Sequence, residues 1–281
     1  MSWKRLKQLI MKDPALIKIY SLSPSELHDY VIPSLKNPQE FYLDLHRSPP
    51  NQTFKQLLHD NIDVLTYFDL EYPRLLKQIY DPPWVLYMKG NSKLLQLERS
   101  LAVVGTRHPT KLGTKSISSL LPPLINQKFI IISGLARGID RLAHIEAIKH
   151  GGATIAVLGS GLNVPYPKEN LQLFNYMCHH QLVISEYPPA TPPTKWQFPN
   201  RNRIISGLAQ GLLVVEAAKK SGSLISADQA LEQGREVFAV PGPIFSDMSQ
   251  GTNHLIQQGA KLVREPEDIL SELQVHTRHL S

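Results

Sequence analysis

Basic side chains beside glycine-rich turns offer the most chemistry in this chain. Four turns stand out: Gly105-Thr106-Arg107, Ser133-Gly134-Leu135-Ala136-Arg137-Gly138, Gly159-Ser160-Gly161 with Lys168 downstream, and Ser221-Gly222-Ser223. A glycine after a strand lets the backbone approach a phosphate, and a helix starting there aims free N–H groups and a partial positive charge at it. A guanidinium adds a bidentate donor that matches phosphate oxygens. Phe198-Pro199-Asn200-Arg201-Asn202-Arg203-Ile204-Ile205-Ser206-Gly207, with Lys195 just before it, sets two more arginines one residue apart between a Pro-rich loop and an apolar helix-like run. Together these residues describe a phosphate-lined sheet edge. Tyr166, Trp196 and Phe198 interleave with the cations, and aromatics so placed stack bases in single-strand binders. The same residues also have structural uses: Gly134 and Gly138 can shape a tight turn, and Tyr166 or Phe198 can fill a core.

Other chemistry is poorly supplied. A single cysteine, Cys178, excludes an intrachain disulfide framework and any multi-thiolate metal site. The eleven histidines include no HExxH pair, and neither Gly-x-Ser-x-Gly nor a Walker A sequence occurs, so no metal and no cofactor are expected. Gly105-Thr106-Arg107-His108-Pro109-Thr110 has one glycine where a dinucleotide fingerprint needs three. Asp140, Glu186 and Glu216 lie near expected strand ends and are the candidates for a general acid or base. Thirty basic residues against 24 acidic ones leave a net charge of +6, which favours polyanions, nucleic acid first. The start Met1-Ser2-Trp3-Lys4-Arg5 leads into no secretory h-region, and no apolar run nears the ~20 residues that span a bilayer, so the expected location is cytoplasmic.

These turns need a scaffold, and the apolar periodicity supplies one. From residue 101 onward, strand-like runs at 101–104, 129–132, 154–158, 182–184, 212–215 and 237–240 alternate with helix-length segments, one of them 139–149. Such alternation predicts an α/β fold with a mostly parallel sheet and crossover helices, and runs apolar on both faces fit strands covered on both sides. Ligands in these sheets sit beyond the carboxyl ends of the strands, where the glycine turns fall. Segment 61–91, with strand-like runs at 64–68 and 84–88, reads as a bridge into this domain. The first sixty residues read as short helices: Leu6, Leu9 and Ile10 share a face, as do Leu16, Ile17 and Tyr20, and Ser23-Pro24-Ser25-Glu26 marks a capped helix start. The domains expected are 1–62 and 63–281.

Several long motifs, in order between residues 72 and 263, resemble the DNA-processing protein A family, DprA/Smf. They are Val103-Val104-Gly105-Thr106-Arg107, Ser133-Gly134-Leu135-Ala136-Arg137-Gly138-Ile139-Asp140, the Phe198 to Gly207 stretch, Ser221-Gly222-Ser223-Leu224-Ile225 and Phe238-Ala239-Val240-Pro241-Gly242, preceded by Leu86-Tyr87-Met88-Lys89-Gly90-Asn91. The resemblance implies an extended Rossmann-like domain without catalysis, which binds single-stranded DNA and loads the RecA recombinase on it. It also implies protection of incoming strands in natural transformation and a homodimer, with Ile256 and Leu262 as candidates for the seam. The helical leader resembles the family's sterile-alpha-motif-like domain. The first turn reads Gly-Thr-Arg where Gly-Ser-Arg is frequent, which keeps a hydroxyl. The chain ends soon after Leu270, where many relatives continue into a winged-helix domain, so functions of that module are expected to be missing. The rival is a nucleoside-monophosphate-processing enzyme that cleaves the glycosidic bond on a similar fold. Its Pro-Gly-Gly-x-Gly-Thr turn and following glutamate have no counterpart at Ser221-Gly222-Ser223-Leu224.

Overall fold

Runs of four and five apolar residues are too short for buried helices, and in the computed structural model, which describes residues 3–31, 37–47 and 49–278, they are strands. Backbone contacts divide the chain between Asp63 and Val64. The first unit holds helices α1 (Trp3–Lys12), α2 (Pro24–Val31), α3 (Pro38–Arg47) and α4 (Pro50–His59). Its core gathers Leu9, Ile19 and Leu27, with Leu6, Leu16, Phe41 and Leu45 against them. Ser23 and Glu26 form a reciprocal capping box at the start of α2: Ser23 N donates to Glu26 Oε2 (2.8 Å) and Glu26 N donates to Ser23 Oγ (3.4 Å). Ile17 does not join Leu16 on the buried face. Leu16 has a left-handed φ of 54°, which breaks the helical phase and turns Ile17 out to solvent.

The second part runs β1 (Asp63–Thr66), α5 (Arg74–Lys77), β2 (Val85–Gly90), β3 (Ser100–Val104), α6 (Lys111–Asn126), β4 (Ile130–Ser133), α7 (Ile139–Lys149), β5 (Thr154–Leu158), α8 (Leu171–His180) and β6 (Leu182–Ser185). It continues with α9 (Gln197–Gly207), β7 (Gly211–Val214), α10 (Gly222–Glu232), β8 (Glu236–Ala239), α11 (Gln250–Gln257), β9 (Lys261–Leu262) and α12 (Pro266–Arg278). Among the described residues these strands make one nine-stranded sheet in the order β1-β2-β6-β5-β4-β3-β7-β8-β9. Every pairing from β6 to β9 is parallel, whereas β2 runs antiparallel to β6. The segment expected to bridge therefore extends the sheet.

Alternate side chains of each strand enter different cores. Leu101 and Val103 pack with Ile117 and Leu121 of α6, Ala143 of α7 and Ile269 of α12. Ala102 and Val104 face the other way, toward Ile204 of α9, Ala227 of α10 and Leu255 of α11. Two helical layers thus cover the sheet, and the strand ends are left to carry the site.

Strands β3 to β6 build outward in one direction, and the chain then returns to lay β7 on the free side of β3. The loops after β3 and β7 diverge there, at the switch point where doubly wound sheets open a crevice.

Candidate nucleic-acid interface

Beyond the carboxyl ends of β3, β4 and β5 lies a cleft of about 120 Å³. Its lining comes from three turns and one helix: Arg107 and His108 after β3; Gly134, Ala136 and Arg137 after β4; Gly159, Tyr166 and Pro167 after β5; Phe198 and Arg201 on α9. Cofactor-sized pockets hold roughly 300–1,000 Å³. This cleft suits a group presented from outside, such as one phosphate with its sugar.

Arg201 is the centre of the site and is only 5% exposed. Its Nη1 donates to Gly134 O (2.6 Å) and also to Val157 O, so one guanidinium ties the β4 turn to the end of β5. A Cβ on residue 134 would lie 2.4 Å from that guanidinium, so the close approach at this glycine is made by a protein group and any side chain there would push Arg201 aside. Asp140, at the start of α7, accepts from Gly134 N (3.1 Å) and faces the charge of Arg201. Burial raises the Asp140 carboxyl above its ordinary range, with Arg201 and the Gly134 amide opposing. Burial likewise lowers Arg201 to about 10, aided by Arg107 and resisted by Asp140, so Arg201 stays charged at neutral pH.

Gly138, at φ 74°, lets the β4 turn reverse into α7 against the Thr106 carbonyl. Asn170 Nδ2 clamps the same turn by donating to Leu135 O (2.8 Å) and Ala136 O (3.1 Å). His144 lies beneath it. The Thr154 hydroxyl donates to Ile131 O (2.6 Å), so it must accept from His144 Nδ1 (2.7 Å), which therefore carries a proton. Burial first, then Arg201, lowers His144 to about 3.

Arg203 does not line the cleft. It is 7% exposed, and it donates through Nε to Asp81 (3.0 Å) and through Nη2 to Glu186 (2.6 Å). The reason is helical: α9 begins at Gln197, so positions 201 and 203 lie about 200° apart around its axis and cannot share a phosphate. Phe198 and Arg201, three apart, do share a face, and both reach the cleft. Pro199 occupies the first turn of the helix, where its missing N–H is no loss.

Hydroxyls expected at the ligand are also used by the fold. Ser133 Oγ donates to Val103 O (2.6 Å) and Ser160 Oγ to Val164 O (2.8 Å), both buried. Gly161 is buried and donates to Thr191 O (2.9 Å). Gly105 and Thr106 are half-buried beneath Arg107, with Thr106 N donating to Glu216 O (2.8 Å) and Thr106 Oγ1 accepting from His108 N (3.2 Å). Gly159 lines the cleft directly under Phe198. Ser221, Gly222 and Ser223 cap α10 after β7 and do not line the cleft.

The cations left accessible are Arg107, Arg137, Lys168 and Lys195. Arg107 ion-pairs with none of the described acids, whereas Arg137 shares its charge with Glu169. Lys168 and Lys195 flank the lining residues without joining them. Tyr166 is 43% exposed and tilts against Phe198 with centroids 5.5 Å apart, while Trp196 is 63% exposed. Sequence reasoning passed over His108, although it follows Arg107 in the same turn. The three candidate carboxylates all hold structure: Asp140 the β4 turn, Glu186 Arg203, and Glu216 the start of α6.

Residues 63–274 match the family model described as DNA recombination-mediator protein A. The chain belongs to that family. The DNA processing protein DprA of Bacillus subtilis is 47% identical over 241 residues, covering 85% of this chain and 80% of that protein. DprA of Streptococcus pneumoniae is 50% identical over 203 residues, 72% of this chain and 71% of that one. In three dimensions the chain is similar to the X-ray structure of Streptococcus pneumoniae DprA, with a TM-score of 0.84 at 39% identity over 96% of this chain and 93% of that chain. It is also similar to the DNA processing protein A of Helicobacter pylori, a structure described for its single-stranded DNA binding mode, with a TM-score of 0.69 at 29% identity over 76% and 96% of the two chains. The DprA/Smf resemblance read from the motifs and the extended Rossmann-like sheet both stand. Among the described residues no helix is long and apolar enough to cross a membrane.

Proposed function

We propose that this family member binds single-stranded DNA along the cleft beyond β3, β4 and β5, as a non-catalytic recombination mediator. The observation that carries this is Arg107: exposed, ion-paired with no described acid, and seated at the mouth of a cleft whose floor is the buried Arg201 and whose wall is the Tyr166–Phe198 pair. A guanidinium at the mouth takes a phosphate, and Tyr166 and Trp196 offer faces to bases without reading their edges. The helix start at Gly138 and the field of Arg201 add positive potential beneath the phosphate. The single-stranded DNA binding mode of the Helicobacter pylori relative supports the same ligand class.

By the same reading the protein loads the RecA recombinase on that strand and protects incoming DNA during natural transformation, in the cytoplasm. It acts as a homodimer whose seam includes Leu262, exposed on the edge strand β9, and Ile256, which packs partly against the core. Anisotropy of labelled oligothymidylate tests the DNA contact, and RecA assembly on single-stranded DNA with and without the protein tests the loading. Release of free base from nucleoside monophosphates would instead establish the enzymatic alternative.

A further inference from the structure

The switch point between β3 and β7 is where a doubly wound sheet ordinarily seats a nucleotide phosphate against the helix that follows the first strand. In this chain that helix is α6, and a side chain already sits at its N-terminus. Glu216, two residues past β7 and 8% exposed, accepts from Thr110 N through Oε2 (2.9 Å) and from the Thr110 hydroxyl through Oε1. Thr110 is the N-cap, and its Oγ1 accepts in turn from Leu112 N (3.1 Å) and Gly113 N (3.3 Å). The carboxylate presses so closely on the first turn that a Cβ on residue 113 would lie 2.3 Å from Oε2. No described cation ion-pairs with Glu216. A buried carboxylate without an ion-pair partner is costly unless something else compensates it, and here the compensation is the amide, the hydroxyl and the positive end of a 16-residue helix.

We propose that Glu216 is a built-in anion that occupies the phosphate seat between β3 and β7 and closes this crevice to nucleotides. Glu216 is then a specificity-determining residue. It fills the seat and repels a second anion from it. Gly113 belongs to the same device, because only a residue without a side chain admits the carboxylate to the helix backbone. The inference does not depend on the DNA reading, since it concerns which anions are refused.

Inorganic pyrophosphate is the probe, and the amide resonances of Lys111, Leu112 and Gly113 report on the seat. At millimolar pyrophosphate the parent protein shows no saturable shift at these amides, whereas Glu216→Ala, which vacates the seat and removes its charge, shows one. If the variant needs help to fold, the readout becomes refolding with and without pyrophosphate, and rescue by the anion is the expected result because a ligand of the native state stabilises it. Two results overturn the proposal: a folded Glu216→Ala protein whose amides respond no more than those of the parent, or an unfolded one that pyrophosphate does not rescue. No DNA enters the measurement, so its failure is separate from any failure of the DNA reading.

Discussion

Arg201 and Arg107 divide between them the work that sequence spacing assigned to a pair of neighbouring arginines. Arg201 is spent inside the protein, on two carbonyls and the field of Asp140, while Arg107 stays outside. Arg201→Ala leaves a buried carboxyl and two carbonyls without their partner, and is expected to cost about 3–5 kcal/mol in urea unfolding. Arg201→Lys restores this only in part, because an ammonium has no counterpart of the Nε that also donates to Asn202 Oδ1 (3.2 Å). His144 yields a pH prediction. Its folded value of about 3 lies below the ordinary 6.5, so its contribution to stability is complete above pH 6.5 and is lost as the pH falls toward 3. The slope is at most ~1.4 kcal/mol per pH unit. Unfolding midpoints of His144→Gln should therefore depend less on pH across this window than those of the parent, and equal dependence would contradict the buried neutral imidazole.

At the scale of elements, the β4 turn and α9 act as one unit, locked by the approach of Arg201 to Gly134. Gly134→Ala forces the guanidinium aside and is expected to cost about 1–3 kcal/mol. Combined with Arg201→Ala it should cost less than the sum, because the second change removes the group that the first one strikes; a double-mutant cycle in urea measures the coupling. The strands were legible because short apolar runs have few alternatives: 154–158 coincides with β5, as the helix-length segment 139–149 does with α7, and the other five runs lie within a residue of β3, β4, β6, β7 and β8 at each end. The start of α9 was hidden by Pro199 and by polar neighbours that resemble a loop. With it went the rotation that sends Arg203 toward Asp81 and Glu186, partners 122 and 17 residues away that no local pattern announces. The glycines were legible as close approaches, but composition does not say whether a phosphate or a guanidinium does the approaching.

At the scale of the molecule, parallel strands place every turn of β3, β4 and β5 on one rim, which is why residues from 107 to 201 converge on one cleft. The chain's order along the sheet then separates two kinds of anion site: one open and lined by accessible cations, one filled by Glu216. The far edge ends in β9, a two-residue strand with Leu262 exposed. An exposed sheet edge is a template for pairing. Leu262→Arg should lower the mass seen in sedimentation while leaving the melting profile intact; an unchanged mass would remove this edge from the dimer seam. Ile256 is a poorer probe, because a charge there also disturbs the core it packs against.

The placement of a sugar–phosphate strand over Arg107 is tested most directly by the affinity for oligothymidylate across a range of salt, for the parent and for Arg107→Ala. Counterion release predicts that log affinity falls linearly with log salt for both, and that the variant binds more weakly with a slope shallower by about 0.7, the loss of one neutralised phosphate on a single strand. A folded Arg107→Ala protein with the affinity and salt slope of the parent would contradict the account.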